Sequence, residues 1–238
     1  MKLQYLGDSR DAFKWDLLHW ICTRSSPRFN ELAFVPMLTP DIPGLNEGNT
    51  PHDWFACQDF IRPFLIALKD EPRSLERIST LGAIEPNAEP FHASVFGNSR
   101  HIDIGNKRAE YWVGFELEKY ANAVVFFDPD NGFETKTKRG TKWIRHSELK
   151  YLFTRLPETS VVVVYQHRPQ RRAWNDLFAD LTKKVDYVHT AVTAYEGNLA
   201  FVVMAGNASS GKRICDVIKS YTKEHSVVRH TVLRHGHI

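Results

Sequence analysis

The chain has 238 residues, of which 42% are hydrophobic, 12% aromatic and 25% charged. This composition is typical of a globular protein with one sizeable core and argues against intrinsic disorder. No apolar run approaches the roughly 18 residues of a membrane-spanning helix, so we expect no transmembrane segment.

The first residues and the cysteines bear on the cellular compartment. The chain starts without the long apolar segment of a secretory signal. Cys22, Cys57 and Cys215 are too few and too scattered for a disulfide framework or a cysteine-based zinc site. We therefore expect a cytoplasmic protein.

The formal net charge of +3 conceals two halves of opposite sign. Residues 1–118 carry 12 Lys and Arg against 17 Asp and Glu, whereas residues 119–238 carry 19 against 11. The basic second half indicates either a polyanionic partner such as nucleic acid or a surface charge that serves solubility alone.

Hydrophobic periodicity predicts helices that alternate with strands. A first helix starts at Asp8 or Ser9 as N-cap, because Phe13, Leu17, Trp20 and Ile21 follow at helical spacing. The further predicted helices cover 53–69 with an interruption near Pro63, 109–120, 147–156, 173–183 and 213–224. The predicted strands cover 32–38, 92–96, 123–127, 160–165, 187–194 and 199–205. We predict one α/β domain over 1–238, a three-layer α/β/α sandwich around a mostly parallel sheet with a C-terminal hairpin.

Two polar loops follow buried strands, which is where ligands bind in open α/β sheets. The first loop, Asp128-Pro129-Asp130-Asn131-Gly132-Phe133-Glu134, has three carboxylates and an amide that could activate water, stabilise a cation or bind a metal. The second, Gln166-His167-Arg168-Pro169-Gln170-Arg171-Arg172, combines a candidate acid or base with candidate phosphate ligands. The structural alternatives are a turn that ends a strand and a solvated helix start.

Four other groups of residues are candidates for a function. Lys136, Lys138, Arg139, Lys142, Trp143 and Arg145 suit a nucleic-acid backbone or form a mobile surface loop. Gly7, Asp8, Asp11 and Lys14 either contribute to a pocket or cap and pair on the surface. The segment from Gly206 to Arg213 approaches a phosphate-binding loop, but Arg213 replaces the Ser or Thr that would hold magnesium. His225, His230, His235 and His237 match no metal-ligand spacing.

The two strand-end motifs resemble those of the uracil-DNA glycosylase superfamily. Asp128-Pro129 is followed, 39 positions after Asp128, by His167-Arg168-Pro169. The resemblance implies a cofactor-free, metal-free enzyme in which Asp128, or Asn131 or Asp130, positions the water and His167 assists the departing base. Phe126-Phe127 replace the usual Gly-Gln and Arg168-Pro169-Gln170 replace Pro-Ser-Pro, so we expect a larger or modified base. The chain also looks similar to Brig-type anti-phage glycosylases, which remove glucosylated hydroxymethylcytosine from phage DNA.

We therefore predict a DNA glycosylase that flips out and excises a modified base from double-stranded DNA, leaving an abasic site. The predicted residues fall into three sets. The catalytic set is Asp128, Asp130, Asn131 and His167. The substrate-binding set is Gly7, Asp8, Lys14, Phe133 and Gln166. The DNA-binding set is Lys138, Arg139, Lys142, Arg168, Arg171 and Arg172.

Three alternatives remain open. Asp128-Pro129-Asp130-Asn131 resembles the Asp-Pro-Pro-Tyr motif of Rossmann-type S-adenosylmethionine-dependent methyltransferases, and the segment from Gly7 to Lys14 is similar to the start of an rRNA adenine methyltransferase family. Against this, Thr39–Gly48 contains no Gly-x-Gly for the cofactor. A metal-dependent nuclease would use Asp128, Asp130 and Glu134. A non-catalytic DNA-binding module would be favoured if the two loops lay apart.

Overall fold

The computed structural model describes residues 1–41, 55–96 and 108–236. Residues 53 and 54 of the helix predicted over 53–69, most of the loop Thr39–Gly48, and His237 lie outside the described residues. Residues 55–60 of that predicted helix are not helical, and the helix begins at Ile61.

The described residues alternate between helices and strands, so the predicted α/β class is confirmed. In chain order the elements are α1 (Ser9–Arg24), β1 (Glu31–Val35), α2 (Ile61–Lys69), β2 (His92–Val95), α3 (Arg108–Tyr111), β3 (Ala123–Phe127), β4 (Gly132–Phe133), β5 (Trp143–Ile144), α4 (His146–Phe153), β6 (Val161–His167), α5 (Trp174–Lys184), β7 (Thr190–Glu196), β8 (Leu199–Ala205), α6 (Ala208–Glu224) and β9 (Arg229–His235). Short 3₁₀ helices cover Leu3–Tyr5, Leu75–Ala83 and Leu117–Lys119.

The central sheet has seven strands in the order β2-β1-β3-β6-β8-β7-β9. Strands β2, β1, β3 and β6 are parallel, and the pairs β6–β8, β8–β7 and β7–β9 are antiparallel, so the sheet is mixed. The chain leaves β1 toward β2 on one side and returns to β3 on the other. This reversal between β1 and β3 is the topological switch point at which doubly wound sheets bind ligands.

Two clusters of buried side chains use alternate residues of the same strands. Phe34 of β1 and Phe126 of β3 belong to the first cluster, together with apolar residues of α1, α2 and α6. Their rings stack at 5.5 Å, and Trp15 of α1 packs edge-on against Phe34. Val125 and Phe127 belong to the second cluster, with residues of α3, α4 and α5. The strands are therefore buried on both sides, which explains why they read as continuous apolar runs.

The helix predicted over 109–120 is wrong for most of its length. Only Arg108–Tyr111 is α-helical, and a 3₁₀ turn covers Leu117–Lys119. Gly114 has a φ of 82°, in the left-handed region that ends a helix. Apolar spacing alone did not reveal this break.

Strand β6 and helix α6 both extend beyond their predicted limits. Gln166 and His167 lie within β6, because they pair with Ala200 and Leu199 of β8. Helix α6 begins at Ala208, capped by the Asn207 side chain, which accepts from the Ser210 N–H at 2.9 Å. The segment that resembles a phosphate-binding loop is thus mostly helix, and a Cβ at Gly211 would lie 2.2 Å from the Thr190 hydroxyl. Close packing on β7 accounts for this glycine.

Three strands were not predicted: the short pair β4–β5 and the edge strand β9. The polar composition of β9 conceals it, since it includes Arg229, His230, Arg234 and His235. No helix among the described residues is long and apolar enough to cross a membrane.

Candidate active site

The two predicted strand-end loops lie side by side because β3 and β6 are adjacent and parallel. Asp128 follows β3 directly, and His167 is the last residue of β6. The Asn131 carbonyl accepts from the His167 N–H at 3.3 Å and from the Gln166 side-chain amide at 3.0 Å. A non-catalytic module would be favoured if these loops lay apart, whereas they are hydrogen-bonded to each other.

The side chain of Gln166 holds the backbone of the loop after β3 in place through hydrogen bonds. Its Oε1 accepts from the Phe133 N–H at 2.9 Å, while its amide nitrogen donates to the Asn131 and His167 carbonyls. Gly132 has a φ of 102°, and a Cβ there would lie 2.3 Å from the Gln166 Oε1. The glycine is therefore required twice, by its backbone conformation and by the close approach of the glutamine.

The N-terminus of α1 covers the same edge of the sheet. Asp8 caps the helix by accepting from the Arg10 and Asp11 N–H groups at 2.8 and 3.3 Å. Gly7, with a φ of 77°, donates its N–H to Asp11 Oδ2 at 2.8 Å. The turn before α1 thus orients Asp11, and Lys14 follows one helical turn later on the same side.

A pocket of about 530 Å³ opens between the start of α1 and the ends of β3 and β6. At its base the Lys14 Nζ lies 2.6 Å from Asp11 Oδ1 and 2.8 Å from Asp128 Oδ2. All three side chains are buried. The pocket is lined by Met1, Lys2, Tyr5, Asp8, Arg10, Asp11, Lys14, Asp128, Pro129, Asp130, Asn131, Lys142, Tyr165 and His167.

Burial and neighbouring charges together shift the pKa values of three groups in this pocket. Burial alone would lower the pKa of Lys14, but the Asp11 and Asp128 carboxylates outweigh it and raise that pKa above its ordinary value. Burial raises the pKa of Asp128, against the opposing effect of Lys14. Burial and the nearby Asp11 carboxylate raise the pKa of Asp8 to about 6. Lys14 is therefore a fixed ammonium ion, and Asp8 titrates near neutral pH.

Three polar groups in the lining of this pocket have a side-chain atom without a hydrogen-bond partner in the described residues. Within the part of the chain that the structure describes, Asp128 Oδ1, the Asn131 side-chain amide and His167 Nε2 make no hydrogen bond. Asn131 and His167 are half-buried, so these polar atoms are accessible to a ligand in the pocket.

The ring of His167 has a defined tautomer. Its Nδ1 lies 3.0 Å from the Arg168 carbonyl oxygen, which can only accept, so Nδ1 carries the proton. Burial lowers the pKa of His167, which keeps the ring neutral at pH 7. The Nε2 lone pair is then an acceptor, whereas donation to a departing base requires a protonated ring.

A second cavity, of about 700 Å³, adjoins the first and shares Asn131 and His167 with it. It lies between the segment 133–143 and α5. Its lining includes five basic side chains, namely Lys136, Lys138, Arg172, Lys183 and Lys184, against the two carboxylates Glu134 and Asp180. We call this cavity the basic groove. Phe133 lies in its floor, so this predicted substrate residue and Gln166 belong to the groove.

The remaining predicted residues are divided between the two cavities and positions outside them. Asp130 contacts the α-amino group of Met1 at 2.9 Å and accepts from the Thr39 hydroxyl at 2.6 Å. Arg168 donates to the Asn198 side-chain oxygen, and Arg171 is exposed with a φ of 61°. Neither arginine lines the two cavities, whereas Lys142 lines the pocket and Lys138 and Arg172 line the groove. Arg139 lies 3.8 Å from Glu134.

Sequence reasoning missed Tyr165, Lys183 and Lys184. Tyr165 reads as one more strand residue, although it lines the pocket beside Lys14. The two lysines end α5, where cations are expected for the helix dipole alone. No sequence signal set them apart.

The carboxylates of the nuclease interpretation do not converge. Asp128 contacts Lys14, Asp130 contacts Met1, and Glu134 accepts from the His146 N–H at 3.1 Å. Among the residues that the structure describes, no group of three His, Cys, Asp or Glu is placed to hold a metal ion.

No protein-family model matches this chain, and a search of curated proteins found no match either. The functional argument therefore depends on the site itself.

Proposed function

We propose that the protein is a cytoplasmic DNA glycosylase that excises a flipped-out, modified base and needs no cofactor. The observation that carries this proposal is that Asp128, Asn131 and His167, each with a free polar atom, line one pocket, and that Asn131 and His167 also line the basic groove. Its fold in this proposal is a three-layer α/β/α sandwich with β7 and β8 as a C-terminal hairpin.

The chemistry requires a stabilised cation and a bound water. Cleavage of the N-glycosidic bond leaves positive charge on the sugar and negative charge on the base, and water supplies a hydroxyl to the sugar and a proton to the base. Asp128 faces the pocket with one free oxygen, and Lys14 on the other oxygen favours its ionised form. Asp128 therefore stabilises the sugar cation, and the Asn131 amide positions the water.

The tautomer of His167 favours one class of base. A neutral ring with its proton on Nδ1 offers only an acceptor at Nε2. Cytosine and adenine present an exocyclic amino donor, whereas uracil presents a carbonyl in its place. An acceptor at Nε2 therefore favours an amino-bearing base over uracil, and within this class the proposal is excision of a cytosine-type base, including glucosylated hydroxymethylcytosine.

The test is base release in the presence of EDTA and without added cofactor, from plain, hydroxymethylated and glucosylated DNA. Released base is identified by mass spectrometry, and abasic sites are identified by alkaline cleavage. We expect Asp128→Asn and Asn131→Ala each to lower the rate by about 10²- to 10⁴-fold while DNA binding persists. Asp216→Asn, on the exposed face of α6, is the matched control and retains the wild-type rate. Full activity of both site variants would refute the assignment.

A second candidate, a Rossmann-type methyltransferase, is favoured by one observation. The pocket lies beside the switch point between β1 and β3, where doubly wound sheets bind nucleotides. However, Met1 fills the crevice there, since its nitrogen donates to the Met37 and Asp128 carbonyls at 2.8 and 2.9 Å. Methyl transfer to DNA or RNA from labelled S-adenosylmethionine, with no base release, would establish this candidate instead.

A further inference from the structure

The basic groove has the chemistry of a nucleotide site on both its rim and its floor. Phe133, Leu177 and Leu181 are buried apolar residues in its lining, and the half-buried Trp143 stands beside them. Its volume of about 700 Å³ falls within the roughly 300–1,000 Å³ of ligand sites. An apolar floor beneath a cationic rim suits a base and its phosphate.

The cations of the rim are largely unneutralised. Lys136, Lys138 and Lys183 are exposed, and their ammonium groups make no hydrogen bond or ion pair within the described part of the chain. Lys184 makes only a long contact of 3.4 Å with the Glu134 carbonyl oxygen. Of these five cations, Arg172 alone is paired with a carboxylate of the described residues, that of Asp180. A surplus of free ammonium groups in one concave site attracts a polyanion.

The basic groove continues into the pocket at the start of α1, since Asn131 and His167 line both cavities. A nucleotide in the pocket would therefore have its neighbour in the same strand at the groove. Trp143 offers a ring face at this position, and aromatic faces stack on bases without regard to their identity.

We propose that the basic groove binds one nucleic-acid strand next to the reacting nucleotide, with Lys183 and Lys184 on the phosphates and Trp143 against a base. This inference rests on the proposed function for the identity of the neighbouring site. It adds α5 to the DNA-binding surface, which sequence reasoning had confined to the residues from Lys138 to Arg172.

The experiment measures binding of a fluorescein-labelled single-stranded DNA with ordinary bases by fluorescence anisotropy over a range of salt concentrations. Each lost phosphate contact lowers the slope of log K against log salt by about 0.7. For Lys183→Gln/Lys184→Gln we expect a slope smaller by about 1.4 and an affinity roughly tenfold lower at about 0.15 M salt. The control, Lys219→Gln/Lys223→Gln, removes the same charge from exposed positions on α6 and leaves the slope unchanged.

Trp143 gives a second measurement, which does not depend on charge. Trp143→Ala should lower affinity by roughly 5- to 100-fold at every salt concentration, and Trp143→Phe should recover most of this loss because it keeps an aromatic face.

The outcomes separate this inference from the proposed function. If no base is released but the α5 variant shows the smaller salt slope, the glycosylase proposal is refuted and the basic groove remains a strand-binding site. An unchanged slope in the α5 variant, or an equal loss in the α6 control, would overturn the groove even if base release were intact.

Discussion

At the residue scale, the most unusual feature is one ammonium ion shared by two buried carboxylates. Lys14 contacts Asp11 and Asp128 within 2.8 Å, and none of the three side chains is more than 7% exposed. Removing charges from water costs several kcal/mol per ion, so such a cluster adds little to stability by itself. The cluster lies in the lining of the pocket, which is where strongly perturbed ionisable groups suggest a functional site.

Lys14→Met should destabilise the protein by about 3–5 kcal/mol near neutral pH, because it leaves two buried carboxylates without a counter-ion. Adding Asp128→Asn should recover about 1–3 kcal/mol of this loss. Urea unfolding of the two single variants and the double variant measures the coupling. Lys212→Met is the matched control, since it breaks the exposed pair with Asp216, where the cost stays below about 1 kcal/mol. A loss in Lys14→Met no larger than in this control would contradict the buried cluster.

At the element scale, α1 serves both the fold and the pocket through its N-cap. Asp8 satisfies two backbone N–H groups of the first turn, yet burial and Asp11 raise its pKa from 3.8 to about 6. The folded chain therefore holds the proton more tightly than the unfolded chain does. The stability that this carboxyl contributes is complete below about pH 4 and is lost as pH rises through about 6.

Asp8→Asn keeps a good N-cap and removes this charge, so it should stabilise the protein at neutral pH relative to acid pH. We expect the stability difference between variant and wild type to grow by about 1–2 kcal/mol from about pH 4 to about pH 7.5, measured by urea unfolding. Asp8→Ala, which also removes the cap, should lose about 1 kcal/mol more than Asp8→Asn at both pH values. A pH-independent difference for Asp8→Asn would indicate an ordinary carboxyl group.

The elements differ in how far the sequence predicts them. The β3 strand is predicted at its observed limits because five consecutive apolar residues end at Asp128-Pro129. The helix over 109–120 failed because Gly114 takes a left-handed conformation inside an apolar pattern. Strand β9 was missed because its sequence is polar and has no clear alternation. Its pairing with β7 stabilises the strand despite this sequence.

Site residues that directly follow a strand in the chain could be predicted from the sequence. Contacts between segments that are far apart in the chain could not. Asp128, Asn131 and His167 are predicted because polar residues follow buried strands. That Lys14 reaches Asp128, 114 positions away, depends on how α1 packs over the sheet. The free lone pair of His167 depends on a single contact with the Arg168 carbonyl, which no sequence pattern encodes.

At the scale of the whole molecule, the negative first half and the positive second half meet at the candidate site. The first half supplies Asp8, Asp11 and Lys14 to the pocket, and the second supplies the cationic rim of the groove. The charge asymmetry of the sequence thus corresponds to two adjoining cavities, one that contains the Asp11–Lys14–Asp128 cluster and one with mostly unpaired cations.

Two histidines, the buried His19 and the half-buried His146, should lower the stability of the protein in acid. Burial lowers the pKa of His19 and of His146 from 6.5 to about 4, and both ring nitrogens of His146 lack a hydrogen-bond partner within the described residues. Because the unfolded chain binds these protons first, the stability that the two neutral histidines contribute is complete above about pH 6.5 and is lost as pH falls toward 4.

We expect the free energy of unfolding of His146→Gln to fall by about 1–2 kcal/mol less than that of the wild type between about pH 7.5 and about pH 4.5, measured by urea unfolding. The opposing contribution of Asp8 cancels in this comparison because both proteins contain it. His230→Gln, at an exposed position on β9, should follow the wild type. If His146→Gln also followed the wild type, the His146 ring would take up its proton in the folded protein as readily as in the unfolded chain.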